Sequence, residues 1–195
     1  MSKKLFWLFT VPLLGMLLCI KPAWSQGQTL DRIGNVTQAY EQGLNHYLGR
    51  GVPQDSQRAA AFFAHAAKTQ NHSAAQFNLG VLYEHGEGVQ KDLNAAVQWY
   101  EKAAQQNNVK AQYNLGYLLL EGFGMPKNPV VALQWLEKAA HQGYAPAEYQ
   151  VGCAYLEAKG VPQNRSLALE WLGRAAAQNH KDAQQVLGLA QSMAP

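Results

Sequence analysis

The sequence has few of the residues that stabilise small proteins covalently or build catalytic sites. Only two cysteines occur, Cys19 and Cys153. The six histidines are scattered, with no His-Glu-x-x-His motif and no pair four residues apart, and no paired-cysteine motif accompanies them. The chain also lacks a Gly-x-Ser-x-Gly elbow, a Ser-x-x-Lys motif and a phosphate-binding loop. We therefore predict that the protein is not an enzyme and holds no metal or cofactor.

An excess of positive charge is confined to the beginning of the chain. The whole sequence has 16 Lys and Arg against 13 Asp and Glu. Three of these 16 cations, Lys3, Lys4 and Lys21, lie in residues 1–25, so that 13 remain beyond them against 13 anions. A chain without a net positive field or a basic cluster lacks the electrostatic character of nucleic-acid-binding proteins. We expect no nucleic-acid partner.

Residues 1–25 have the features of a secretory signal peptide. Two lysines precede the apolar stretch 5–20, and Ala23-Trp24-Ser25 offers the small-x-small pattern that signal peptidase cleaves. The alternative is a retained membrane anchor, but this stretch is short for a hydrocarbon core about 30 Å thick. We therefore expect cleavage after Ser25, a periplasmic or secreted protein, and no stable membrane insertion.

Cleavage would leave Cys153 without a cysteine partner in its own chain, which excludes an intramolecular disulfide. Cys153 follows Gly152 in an apolar helical stretch. A buried, unreactive thiol is therefore favoured over a disulfide between two chains. The fold must then be stabilised by packing.

A glycine recurs along the chain at an almost constant spacing. Successive members of the series are 37, 36, 36 and 36 residues apart: Gly43, Gly80, Gly116, Gly152 and Gly188. A period of about 20–50 residues is typical of repeat proteins, in which each unit packs on its neighbours. The spacing predicts repeats at approximately 36–72, 73–108, 109–144 and 145–180, followed by a capping helix at 181–192.

Each repeat is predicted to contain two helices joined by a glycine turn. In the second repeat the turn is Gly86-Glu87-Gly88, where glycine can take the left-handed conformation that ends a helix. The fourth turn, Ala158-Lys159-Gly160, has lost one of these glycines. Each second helix follows a residue type that caps free backbone N–H groups, at one equivalent position: Asp55, Asp92, Asn128 and Asn164.

The second helices share one apolar face. In the second repeat, Ala96, Trp99-Tyr100 and Ala103-Ala104 have the spacing of a buried helix face. Trp135 and Trp171 occupy the position of Trp99 in later repeats, so that a buried column of tryptophans is expected. Because no repeat can bury this face alone, the pattern predicts an all-α solenoid of stacked helix-turn-helix repeats within residues 26–195.

Two segments of the second repeat carry a family resemblance. Ala75-Gln76-Phe77-Asn78-Leu79-Gly80 and Ala95-Ala96-x-x-Trp99-Tyr100-x-Lys102-Ala103-Ala104 resemble the Sel-one-like repeat (SLR) family, which is related to the tetratricopeptide repeats. The third repeat matches as closely, and the resemblance covers nearly all of residues 37–190. It implies a right-handed α-solenoid with an extended inner surface, and a role as an adaptor in protein complexes.

The resemblance leaves the specific role open. Exported bacterial proteins similar to this one include envelope regulators and immunity proteins that neutralise secreted toxins, such as type VI phospholipase effectors. The resemblance thus implies a protein-binding scaffold or regulator in the bacterial envelope, with an immunity protein as the alternative. The partner would be an envelope protein or a toxin. A disulfide-rich branch has been linked to penicillin binding, but it pairs two cysteines in each repeat, and the lack of these cysteines disfavours a hydrolase.

A helical wheel separates two faces of each first helix. In the second repeat, Leu79 and Leu82 lie on the stacking face, and Phe77 lies on the opposite face, which should line the inner curve. Across the repeats, this face forms an aromatic stripe that is edged by acidic residues. The predicted partner-binding residues are Phe77, Tyr113, Tyr117, Glu121, Tyr149 and Glu157.

These candidates differ in the support that the sequence gives them. For Phe77, Tyr113 and Tyr149, packing between adjacent helices is an equal alternative to partner binding. Tyr117 is the stronger candidate, because Val81 and Cys153 hold its position in neighbouring repeats and the scaffold therefore does not require a tyrosine there.

The first repeat departs from the pattern. Gln42, Asn45 and His46 occupy positions that are apolar in other repeats. Its first helix is therefore either rotated as an amino-terminal cap or placed so that it adds apolar surface to the inner groove. The sequence leaves both alternatives open.

Overall fold

A computed structural model of the protein describes residues 38–192. The signal peptide predicted for residues 1–25, its cleavage site and the start of the first predicted repeat lie outside the described residues.

Every regular element between residues 38 and 192 is a helix. In chain order these are α1 (38–48), α2 (Ser56–Gln70), α3 (Ser73–His85), α4 (Leu93–Gln105), α5 (Val109–Glu121), α6 (Pro129–His141), α7 (Ala145–Glu157), α8 (Arg165–Ala177) and α9 (Lys181–Ser192). Each helix packs chiefly against the helices next to it in sequence. The predicted all-α solenoid of helix pairs is thereby confirmed.

The capping residues predicted for the second helices all act as predicted. Asp55, Asp92, Asn128 and Asn164 each accept a hydrogen bond from the backbone N–H three residues later, at 2.9, 3.0, 3.2 and 3.0 Å. Such caps satisfy backbone donors that the first helical turn leaves free. The start of every second helix is therefore encoded locally.

The periodic glycines allow the two helices of one repeat to pack closely. A Cβ added at Gly80 would lie 2.7 Å from the Tyr100 ring, and one added at Gly116 would lie 2.7 Å from Leu136. Gly43 meets Phe63 and Gly152 meets Leu172 in the same way. Any side chain at these glycines would push the second helix away.

The hydrophobic core is a series of clusters, each shared by adjacent repeats. One cluster joins α2 to α3 through Phe63, Leu79 and Leu82, and the next joins α4 to α5 through Tyr100 and Leu115. Two further clusters join α6 to α7 and α8 to α9. Each repeat therefore buries part of its apolar surface against its neighbours.

The predicted column of buried tryptophans is only partly right. Trp171 is buried, but Trp99 and Trp135 are partly exposed. A cation lies over the ring of each of these two, with the Lys102 ammonium 4.3 Å and the Lys138 ammonium 3.9 Å from the ring centroid. The fully buried column is the next residue along each helix: Phe63, Tyr100, Leu136 and Leu172.

Buried amides connect consecutive repeats. Gln112 Nε2 donates to the Ala104 carbonyl at 3.2 Å, and Gln142 donates to Gln112 Oε1 at 2.6 Å. Gln76 and Gln106 form the same arrangement one repeat earlier. In α7 the equivalent position is Glu148, which accepts from Gln178 at 2.7 Å. An ionised carboxylate has no proton to donate to the preceding helix.

Glu148 should therefore lower stability at neutral pH. It is 4% exposed, and its burial raises the pKa of its carboxyl above the ordinary value. The folded state then keeps its proton at pH values where the unfolded chain has released it. The stability that the protonated Glu148 carboxyl contributes is fully present below the ordinary carboxyl pKa. It is lost as the pH rises through the raised pKa of the folded state. Glu148→Gln should increase the free energy of unfolding by about 1 kcal/mol at pH 7 and by less at pH 4.

Urea denaturation at both pH values tests this prediction. The reciprocal change one repeat earlier, Gln112→Glu, is the matched control and should destabilise the protein more at pH 7 than at pH 4. An equal effect of Glu148→Gln at the two pH values would show that folding does not raise the pKa of the Glu148 carboxyl.

The first helix keeps the orientation of the others. A Cβ at Gly43 would lie 2.6 Å from the Phe63 ring, as at Gly80 and Tyr100, so α1 is not rotated. Tyr40 and Leu44 pack against the first core cluster, while Gln42 is exposed on the face where later repeats place a buried leucine. Helix α1 therefore has the same orientation as the other first helices and acts as a polar amino-terminal cap.

Within residues 38–192, none of the helices is both long and apolar enough to cross a membrane.

Candidate functional site

The predicted partner-binding residues lie on the first helices α3, α5 and α7. We call their exposed side the first-helix surface; it is defined by Phe77, Tyr113, Tyr117, Glu121, Tyr149 and Glu157. Phe77 is partly buried and packs on Tyr100, with ring centroids 5.7 Å apart. The structure brings Tyr113 next to Tyr117, and Glu121 next to Tyr149 and Glu157.

Three aromatic side chains of first helices each pack on a ring at the end of the same repeat. Tyr113 meets Tyr144 at a ring distance of 5.3 Å, and Tyr149 stacks on His180 at 4.9 Å. Tyr40 contacts His72 in the same way at 4.6 Å. In every case the second ring stands immediately before the first helix of the following repeat. Tyr113 and Tyr149 therefore have a packing role, which is the alternative that the sequence left open.

Two histidines of the described residues cap helices. His72 Nδ1 accepts a hydrogen bond from the Ala75 amide at 3.2 Å, and His180 Nδ1 accepts one from the Ala183 amide at 3.3 Å. Burial lowers the pKa of His72, which favours the neutral ring that can accept this bond. The histidines at these positions are structural.

Tyr117 is the most exposed aromatic side chain of the predicted surface. It is 37% exposed and stacks on Tyr113 with ring centroids 6.3 Å apart. Tyrosine buries a large area on binding and loses little conformational freedom, so it is favoured at interfaces.

A cavity of about 190 Å³ opens between α5 and α7. Among its lining residues are Leu120, Glu121, Tyr149, Cys153, Glu157 and Lys159. The Lys159 ammonium lies 2.6 Å from the Glu157 carboxylate, and both side chains are about half exposed. Three of the predicted binding residues thus converge on one small cavity.

Burial disfavours the ionised form of the thiol in this cavity. Cys153 is partly buried rather than fully buried, and burial raises the pKa of its thiol. Burial and a hydrogen bond with Cys153 raise the pKa of Tyr149 to about 12. Neither group is the activated nucleophile or base that catalysis needs. In residues 38–192 no cluster of His, Cys, Asp and Glu could hold a metal ion.

Lys159 was not among the residues predicted to form the surface. It is the middle residue of the fourth turn, and the sequence pattern assigned that turn only a role in ending a helix. Its equivalents are Arg50, Glu87 and Phe123, so the position varies in charge. This variation in charge is the sequence signal that could have pointed to Lys159.

The Sel1 repeat model matches residues 35–69, 73–108, 109–144 and 145–180 of this chain. These four matches cover most of the sequence. The chain belongs to the Sel1 repeat family.

Several known proteins are similar to this Sel1 repeat protein. The ubiquitin-ligase component HRD3A of Arabidopsis thaliana is 42% identical over 69 residues, which are 35% of this chain and 10% of HRD3A. A Sel1 repeat protein from Oxalobacter formigenes is 36% identical, with a TM-score of 0.75 over 78% of this chain and 60% of that one. The immunity protein Pa5087 from Pseudomonas aeruginosa is 26% identical, with a TM-score of 0.53 over 80% of this chain and 59% of that one.

The chain spans about a tenth of the length of the curated relatives it matches. The similarity therefore extends to the repeats and not to the whole activity of those proteins. Sel1 repeat proteins are protein-interaction scaffolds and are generally non-enzymatic. Function in this chain has to be sought on its exposed surfaces.

Proposed function

We propose that this protein is a non-enzymatic scaffold or regulator of the bacterial envelope that binds a partner protein on its first-helix surface. The observation that carries the proposal is the exposed Tyr117, which stacks on Tyr113 and lies one helical turn before Glu121, a lining residue of the cavity. An aromatic anchor with a charged rim is a common arrangement in protein interfaces.

Export is part of the proposal. Its support is the basic, apolar and small-x-small pattern of residues 1–25. Intact-mass measurement of the protein from the envelope fraction should give a chain that begins at Gln26. A cytoplasmic protein that retains Met1 would contradict export.

An immunity protein is the second candidate function. It is supported by the similarity to the immunity protein Pa5087, which extends over 80% of this chain. The partner would then be a toxin, and the first-helix surface would occlude it. A toxin gene next to this one and protection of cells against that toxin would favour the immunity role over an envelope scaffold.

Tyr117→Ala should weaken partner binding without unfolding the repeats. Truncation of a central aromatic anchor commonly costs about 2 kcal/mol, or roughly thirtyfold in affinity. The partner would be recovered from envelope extract on the immobilised protein, and its affinity would be measured for both forms. Thermal melting of Tyr117→Ala should stay close to that of the wild type, because the ring is exposed.

Val130→Ala is the control for this experiment. Val130 lies on the second helix α6 and is 55% exposed, so its truncation also removes exposed apolar surface. Its affinity should equal that of the wild type. Reduced affinity of Val130→Ala with unchanged affinity of Tyr117→Ala would move the binding site away from the first-helix surface.

A further inference from the structure

The cavity between α5 and α7 has an unequal set of charges. Its lining contains two carboxylates, Glu121 and Glu157, and one ammonium group, Lys159. Leu120 and the Tyr149 ring provide apolar surface beside them. Carboxylates next to an aromatic ring suit the ammonium or guanidinium group of a long side chain, since its methylene carbons can lie on the apolar wall.

The ammonium in this cavity comes from a turn that does not require a lysine. Arginine, glutamate and phenylalanine stand at the equivalent position in the first three turns. The side chain of Lys159 lies against Glu157, 2.6 Å away, and is about half exposed. The protein's own lysine therefore occupies the position that a ligand cation would take.

We infer that the cavity receives an arginine or lysine side chain of the partner protein, and that this cation displaces Lys159 from Glu157. The inference rests on the proposed function and names the chemistry of the partner's contact. The partner would present a basic side chain next to the apolar surface that meets Tyr117. Glu121 would supply the second carboxylate of the pocket.

The electrostatics of the cavity agree with a cation site. Hydrogen bonding and attraction to Glu157, with a smaller contribution from Glu121, raise the pKa of Lys159. The carboxylates Glu157 and Asp182 also contribute to the raised pKa of Tyr149, because they oppose a negative phenolate. The field at this position therefore favours positive charge.

Displacement of Lys159 should cost little. An ion pair between half-exposed side chains contributes between nothing and about 1 kcal/mol, because water and salt screen it. The Lys159 side chain can move into solvent, where its ammonium is well hydrated. A guanidinium that contacts both carboxylates would form more hydrogen bonds than the single ammonium it replaces.

The probe for this inference is N-acetylarginine amide, with N-acetylglutamine amide as the neutral control. Titration of the isotope-labelled protein should shift the backbone amides of Cys153, Lys159 and Gly160 saturably with the arginine probe only. Lys159→Gln should tighten binding of the arginine probe about fivefold, and Glu121→Gln should weaken it about fivefold. A change of this size corresponds to the free energy of one exposed ion pair. Glu101→Gln, on the exposed side of α4, should leave the affinity unchanged.

The outcomes distinguish this inference from the proposed function. Equal shifts with the arginine and glutamine probes, or weaker binding by Lys159→Gln, would overturn the cation site. If the recovered partner depends on Tyr117 but binds Glu121→Gln as tightly as the wild type, the cation site is wrong and the scaffold function stands. If the arginine probe binds as expected while partner affinity is independent of Tyr117, the proposed interface is wrong instead.

Discussion

Gly88→Ala should detach the first repeat from the second. Gly88 has a φ of +70°, and an added Cβ would lie 2.2 Å from the carbonyl group of Ser56 at the start of α2. Backbone at a helix start cannot move away without separating the helices. The left-handed conformation and the overpacking together should cost about 2–5 kcal/mol. Urea denaturation would measure this loss, and hydrogen exchange should show reduced protection of α1 and α2.

Gly51→Ala is a matched control for this change. Gly51 is the equivalent glycine of the first turn, with a φ of +71°, and an added Cβ would meet nothing within 4 Å. Only the conformational cost remains, which is about 1–2 kcal/mol. Similar losses for Gly51→Ala and Gly88→Ala would mean that the turns do not pack on the preceding repeat.

Tyr100→Ala should lose about 3–5 kcal/mol of unfolding free energy, the usual cost of truncating a large buried aromatic residue. Tyr100 is fully buried, packs against Gly80 within its own repeat and contacts Phe77. Its hydroxyl donates to Glu84 at 2.5 Å. Thermal and urea denaturation would both show the loss, because the cavity would open in the middle of the array.

Tyr100→Phe separates packing from hydrogen bonding at this position. It keeps the ring and removes the hydroxyl that donates to Glu84, so we expect a loss of about 1 kcal/mol. If Tyr100→Ala cost no more than Tyr100→Phe, the buried column would not stabilise the repeats.

The repeat boundaries could be predicted because their signals are local. Asp92 caps α4 through its own neighbouring amide, and Gly86 ends α3 through its own backbone conformation. Each signal recurs with the period of the chain, so four copies support one another. The same reasoning placed the buried alanines and leucines correctly, since the period of a helix alone decides which residues share a face.

The partner-binding surface could be predicted only in outline. A helical wheel places Tyr113, Tyr117 and Tyr149 on one side of their helices, but it does not show what lies beyond that side. Tyr144 and His180 stand at the ends of the same repeats, immediately before the next first helix, and pack on two of the three rings. Tyr117 lies one turn further along α5 and remains exposed.

The sequence by itself determined the number of repeats, the ends of the helices, the stacking face and the lack of a catalytic motif, because these follow from spacing and from residues close in the chain. Tertiary structure decided that Tyr100 is fully buried and its neighbour Trp99 is not, since Tyr100 meets the glycine of its repeat. It also brought Glu121, Tyr149 and Lys159 to one cavity. Contacts between residues a full repeat apart depend on how the helices stack, and no local pattern encodes that geometry.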